Sequence, residues 1–197
     1  MMNYMKLMGA VAGLGVLAAG GALLVSPAPA AAGGAVLDGP FTVDTVHSSV
    51  VFKIKHKDIA NFYGVFKEIT GTFNLDTADA SKTAIDVSVK ADTIDTRNSG
   101  RDNHARSADF LSVKEFPTIT FKSTSAKKTG DASFDVTGDL TFRGVTKPVT
   151  AAVVQTGANG AGMEAKFSIK RSDFGNTTMV GKGLSDEVEF VVSVEKK

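Results

Sequence analysis

Cysteine is absent from all 197 residues. That excludes disulfides, thiolate metal sites, a cysteine nucleophile and a lipid-modified cysteine anchor. Tryptophan is also absent, and tyrosine occurs twice against 13 phenylalanines. The aromatic supply therefore carries almost no hydrogen-bonding handle, which favours an apolar interior over a sugar- or peptide-reading surface. No excess of one charge exists either. With 22 basic and 21 acidic residues the formal charge is +1, so electrostatic steering towards nucleic acid has no support and no nucleic-acid partner is expected. Hydrophobic content of 43% and charged content of 22% are those of an ordinary globular chain.

Residues 7–25 carry neither charge nor polar side chain, and Lys6 precedes them. Ala28-Pro29-Ala30 and Ala30-Ala31-Ala32 offer small-x-small cleavage sites. Residues 1–32 thus read as a signal peptide for export to the periplasm or beyond. The alternative is a retained membrane anchor, since 19 helical residues span roughly 28 Å. Five glycines in that stretch and the lack of a following basic cluster favour cleavage. Removal takes one lysine from the 22 basic residues and leaves 21 against 21 acidic ones. Residues 33–40 form a linker, and residues 41–197 a single domain.

That domain alternates. Val50, Phe52, Ile54 and His56 share a face; so do Ile85, Val87, Val89 and Ala91; so do Phe134, Val136, Gly138, Leu140 and Phe142. A period of two marks half-buried strands. Val65, Lys67, Ile69, Gly71, Phe73 and Leu75 read as one further run, and Asp58 to Phe62 as a helical turn before it. Runs at 119–122, 149–153, 165–169 and 188–194 follow. Arg143-Gly144 and Asn159-Gly160 are hairpin turn signals. Between them these features predict an all-β fold of eight long antiparallel strands, one short strand and a helical insertion, curled as a sandwich or barrel. Residues 96–116 supply the insertion. Ser99 and Asp102 stand at capping-box spacing, and Asp102 and Arg106 at ion-pair spacing. An inward list that mixes phenylalanine with alanine and glycine fits a packed core and a ligand cavity equally.

Chemistry-bearing patterns are sparse. His47 and His56 are nine apart, which puts them on opposite faces of a continuous strand, and His104 lies in the insertion; no metal spacing is recognised. No GxSxG elbow appears. No catalytic residue, metal ligand or cofactor is therefore assigned, and the chain reads as a non-enzyme. Arg97, Arg101 and Arg106 either meet an anionic headgroup or solvate the helix through Asp102 and Asp109.

Several segments together resemble the YceI-like, polyisoprenoid-binding family. They are Asp44-Thr45-Val46-His47-Ser48, Arg101-Asp102-Asn103-His104, Arg106-Ser107-Ala108-Asp109-Phe110, Phe116-Pro117-Thr118-Ile119-Thr120-Phe121, Gly138 to Val149, and Arg171-Ser172-Asp173-Phe174-Gly175. The family tends to carry leucine where this chain has Ala105, and phenylalanine where it has Leu111; both differences bear on the shape of a pocket beside the helix. The resemblance implies an eight-stranded, lipocalin-like antiparallel β-barrel with a hydrophobic tunnel, binding a long-chain isoprenoid or similar amphiphilic lipid. The tunnel wall it implies here runs over Phe52 and Ile54, Phe73 and Val87, Phe121, Leu140 and Phe142, and Phe167 and Phe190. Sequestration, transport and storage of the lipid all fit, with transient membrane contact an open option. A solidly packed structural or stress-response protein is the alternative, and a lipid-modifying enzyme a third. Oligomeric state is open.

Overall fold

The structure, a computed structural model, describes residues 39–197. The expected signal peptide and most of the linker lie outside the described residues. Eleven strands occur in chain order: β1 (Phe41–Thr42), β2 (Ser49–His56), β3 (Ala60–Phe66), β4 (Ile69–Asn74), β5 (Ala84–Lys90), β6 (Ile94–Asp95), β7 (Thr118–Lys128), β8 (Ser133–Phe142), β9 (Val145–Thr156), β10 (Gly162–Lys170) and β11 (Leu184–Glu195). One α-helix, α1 (Ser99–Arg106), sits between β6 and β7. All strands belong to one sheet in the order β1-β4-β5-β7-β8-β9-β10-β11-β2-β3-β6, antiparallel throughout. The all-β, curled antiparallel architecture expected from periodicity is present, with nine long strands in place of eight.

Alternation explains the strands. In β8, Phe134, Val136, Gly138, Leu140 and Phe142 are buried while their neighbours are not. Full burial of such a side chain is worth about 1.5–3 kcal/mol, so a slip of one residue would forfeit the whole face. The β8–β9 turn is Arg143-Gly144, with φ of 51° and 73°. Positive φ at both positions matches the right-handed twist of a two-residue hairpin. Arg143 is not glycine, and its guanidinium reaches across to the Ala108 carbonyl (3.1 Å) and to that of Phe110. The hairpin thereby holds the segment that follows α1.

The curl is tied at one end by the first residues described. Val43 donates to the Gly71 carbonyl (3.0 Å), Asp44 to that of Glu195 (2.8 Å), and Lys197 to that of Thr42 (2.9 Å). The strip from Phe41 to Asp44 thus stitches β4 to the end of β11. Gly71 makes the approach of β4 to β5 feasible: a Cβ there would lie 2.2 Å from the Asp86 carbonyl oxygen, at a φ of 130°.

Four local expectations are corrected. Residues 58–62 are not a helical turn. Lys57 and Asp58 take φ of 51° and 55° and turn β2 into β3, which supplies the ninth long strand. The run 65–75 is not one face: Val65 and Lys67 point away from the core, Phe66 and Ile69 point in, because the chain turns between β3 and β4. Finally, Asn98 caps α1, accepting from the Arg101 amide (2.9 Å). Asp102 instead accepts from the Thr96 amide and hydroxyl. Arg106 does not pair with Asp102; its guanidinium donates to the carbonyls of Asp92 and Ile94, both at 2.7 Å.

Candidate ligand cavity

Two cavities lie inside the curl. The larger holds about 260 Å³ and the smaller about 70 Å³. Phe66, Phe142, Ile169 and Phe190 border both, so a thin apolar neck separates them. Phe190 stacks on Phe167 at 5.1 Å and approaches Phe52 at 6.5 Å. Phe142 meets Phe174 edge-on at 5.7 Å.

The sequence-derived wall residues divide between the two spaces. Phe52 and Ile54 line the larger, Val87, Phe121, Leu140 and Phe167 the smaller, and Phe142 and Phe190 both. Phe73 borders neither; it is buried against Phe41, 5.7 Å away. Periodicity missed Phe62 and Phe66, because β3 was hidden inside a misread turn. It also missed the cap formed by Ala105, Phe110 and Leu111. The only signal there lay in Ala105 and Leu111, the two departures from the family pattern. Both line the larger cavity.

One end of the larger cavity is polar. Its exposed lining residues are His56, Arg101, His104 and Met179, while the others are buried or half-buried. The cavity therefore opens between the β2–β3 turn, α1 and the 175–183 loop. Arg101 is the one member of the arginine trio that lines it. Its Nε donates to the Thr96 hydroxyl (2.9 Å) and one Nη to the Thr96 carbonyl (2.6 Å). Its guanidinium rests 4.2 Å from the centre of the Phe62 ring, a cation–π contact that covers the ring without closing the mouth.

Arg171 is buried beneath the rim. It donates to the Ser185 carbonyl through Nε (3.1 Å) and Nη2 (2.9 Å), and through Nη1 to Asn176 Oδ1 (3.0 Å) and the Thr178 carbonyl (3.2 Å). Asn176 in turn donates to the Phe110 carbonyl (3.1 Å). One buried cation thus ties the start of β11, the 175–183 loop and the post-helix cap into a single frame. Burial lowers the Arg171 pKa, with partial compensation from Asp186. Burial would raise the Asp186 carboxyl, but bonds from the Ser172 hydroxyl and amide outweigh it and hold the group below its ordinary value.

The histidines occupy three separate places. His47 pairs with Asp44 at 2.8 Å, His104 with Asp109 at 3.0 Å, and His56 faces the cavity. No acidic residue, serine or tyrosine lines either cavity. The chemistry on offer is apolar contact along most of the length, with guanidinium and imidazole groups at one end.

Comparison with known proteins agrees with this geometry. The YceI-like domain matches residues 41–196. The protein YceI of Salmonella newport (strain SL254) is 44% identical over 156 residues, covering 76% of this chain and 81% of its own. The Campylobacter jejuni YCEI crystal structure superposes with a TM-score of 0.60 at 31% identity, over 74% of this chain and 91% of that one. A polyisoprenoid binding domain from Saccharophagus degradans shares the fold, with a TM-score of 0.61 at 15% identity over 80% and 98% of the two chains. A family domain that spans nearly every described residue, together with a relative at this level of identity, places the chain in the YceI-like family.

Proposed function

We propose that this protein is an exported, non-catalytic carrier that holds a long-chain isoprenoid or similar amphiphilic lipid inside its curled sheet. The observation that carries the proposal is the pair of adjoining apolar cavities behind a polar mouth. A polymethylated chain offers apolar area and little to hydrogen-bond, which suits walls of phenylalanine, valine and leucine. Its burial is worth about 25 cal/mol per Å² before the costs of binding. The larger cavity sits just under the roughly 300–1,000 Å³ of small-molecule pockets. A long ligand would accordingly thread the neck and use both spaces. The Saccharophagus degradans neighbour, described as polyisoprenoid-binding, favours the same ligand class.

A solidly packed structural protein would lack these spaces. An enzyme would need a nucleophile or base beside a reacting atom. At the mouth, Arg101 and His104 are engaged with Thr96 and Asp109, and Arg171 with carbonyls and Asn176; His56 also faces the cavity, but no acidic residue, serine or tyrosine lines it beside that imidazole. Export is supported by the charge-free stretch 7–25 and the small-residue sites after it.

Titration with a fluorescent polyprenyl lipid tests the proposal. Saturable one-to-one uptake, displaced by unlabelled polyprenol, is expected. Folded protein that takes up none overturns it.

A further inference from the structure

We infer that the open end of the larger cavity is a docking surface for an anionic lipid bilayer, with Ile59 as the inserting residue and Lys57 and Lys182 as its headgroup contacts. The inference goes beyond the interior ligand: a bilayer engages this end of the sheet whether or not the cavity carries cargo.

Four observations converge. First, the cavity opens at this end and nowhere else among its lining residues, since the exposed ones all gather there. Second, Ile59 at the tip of the β2–β3 turn is 84% exposed. Met179, which lies beside Gly183 together with Lys57, is 38% exposed, at a φ of 59°. An isoleucine held out on a turn buries nothing in the folded chain. Third, the turn is hydrogen-bonded to the loop beside it. Lys57 donates to the Gly183 carbonyl (2.9 Å), Ile59 to that of His56 (3.0 Å), and Leu184 to that of Met179 (3.1 Å). The β2–β3 turn and the 175–183 loop are therefore one rim. Fourth, the rim is basic. Lys55, Lys57 and Lys182 are exposed and form no salt bridge among the described residues, and Arg101 adds a further cation. Against them stand Asp58, Asp109 (paired with His104), and Asp186 and Glu187 on the β11 bulge opposite Lys55, of which Asp186 is bonded to Ser172. Cations thus surround the exposed apolar tip at Ile59 in a chain whose formal charge is only +1. An apolar residue ringed by lysines is the arrangement that anionic headgroups attract and acyl chains accept.

The opposite end supplies a built-in control. Val46, at 83%, is as exposed as Ile59. It precedes β2 at the end where Val43, Asp44 and Lys197 tie the sheet shut. Asp44 and His47 beside it are already paired with each other, and the cations at this end, Lys196 and Lys197, stand next to Glu195. Exposure of an apolar residue alone would make the two positions equivalent; docking through the mouth makes them different.

The absence of cysteine makes the test clean. Ile59→Cys and Val46→Cys in the full chain are labelled with an environment-sensitive fluorophore. Each is then mixed with phosphatidylcholine vesicles, with or without phosphatidylglycerol. The label at position 59 should shift to the blue and brighten only with the anionic vesicles, and the label at 46 should not respond. Lys57→Gln and Lys182→Gln, each added to Ile59→Cys, should weaken the partition by about fivefold. Raising salt from 0.1 M to 1 M should weaken it further, as the screening length falls from about 10 Å to about 3 Å. No response at 59, an equal response at 46, or an equal response to zwitterionic vesicles overturns the inference. So does a response at 59 to a protein fraction and not to vesicles. Because the readout is local to the label, attachment through residues outside the described ones does not imitate it. Circular dichroism confirms that each variant is folded.

Discussion

Arg171 shows how much one side chain organises. Its guanidinium links Ser185, Asn176 and Thr178, and Asn176 passes the link to Phe110. Arg171→Leu leaves buried carbonyls without donors, at a cost of about 1–3 kcal/mol for each such group. A fall of about 3 kcal/mol in unfolding free energy is expected, seen as a lower urea midpoint at unchanged slope. The Asp44–His47 pair makes a smaller, pH-dependent contribution. The hydrogen bond from the His47 ring to the Asp44 carboxylate raises the His47 pKa above its ordinary 6.5, and the same bond lowers Asp44 below 3.8. Stability from the raised histidine is present below 6.5 and fades as pH rises through its folded value; stability from the lowered aspartate is present above 3.8 and fades as pH falls. His47→Gln should therefore lower the urea midpoint at pH 5 to 6 and leave it unchanged well into the alkaline range. A deficit that grows with rising pH would contradict the pairing. His47 is exposed and Asp44 half-buried, so 1 M salt should shrink the effect.

Among the elements, β2 and β3 define the wall beside the mouth. Gly64 faces Phe52 across the ladder, and a Cβ at Gly64 would sit 2.3 Å from the end of the Phe52 ring. Gly64→Ala should drive that ring into the larger cavity. Cooperative folding with weaker lipid uptake is expected; unaltered uptake would show that Phe52 has another way to turn. This is also the scale at which sequence was most and least informative. Strands such as β5 and β8, with one wet face and one buried face, announce themselves by alternation. Leu140 and Phe142 were readable as an oily face because burial on one side leaves the other side polar, and as wall only through the family resemblance. The β2–β3 turn was not readable, because Lys57 and Asp58 take positive φ without the usual glycine or asparagine. Once that turn was missed, Phe62 and Phe66 lost their register and the wall lost two rings. The role of Asp102 was equally hidden: its spacing from Ser99 suggests a cap, but Thr96, outside the helix, takes the carboxylate. Arg171 stood in a segment typical of the family, yet nothing in its neighbours signals burial.

At the scale of the whole molecule, the sheet is closed at one end by Phe41 to Asp44 and open at the other between α1 and the 175–183 loop. Two apolar spaces meet at Phe66, Phe142, Ile169 and Phe190. Phe190→Ala should merge them. The half-buried ring puts the cost at or below the about 3–5 kcal/mol of a buried Phe→Ala change. Longer polyprenyl chains should gain affinity relative to short ones, as judged by competition against the fluorescent lipid. An unchanged chain-length preference would mean that the neck already opens for the ligand. Leu140→Arg, which places a charge in the smaller space, should abolish uptake in any fraction that remains folded.

Native mass spectrometry of the protein, gently purified from its own cells, bears most directly on the interior as a lipid site. The expected spectrum contains protein plus one noncovalent adduct, released on activation, with the mass of an isoprenoid or related amphiphile. Protein that arrives empty, and stays empty when polyprenyl lipids are added, would contradict it.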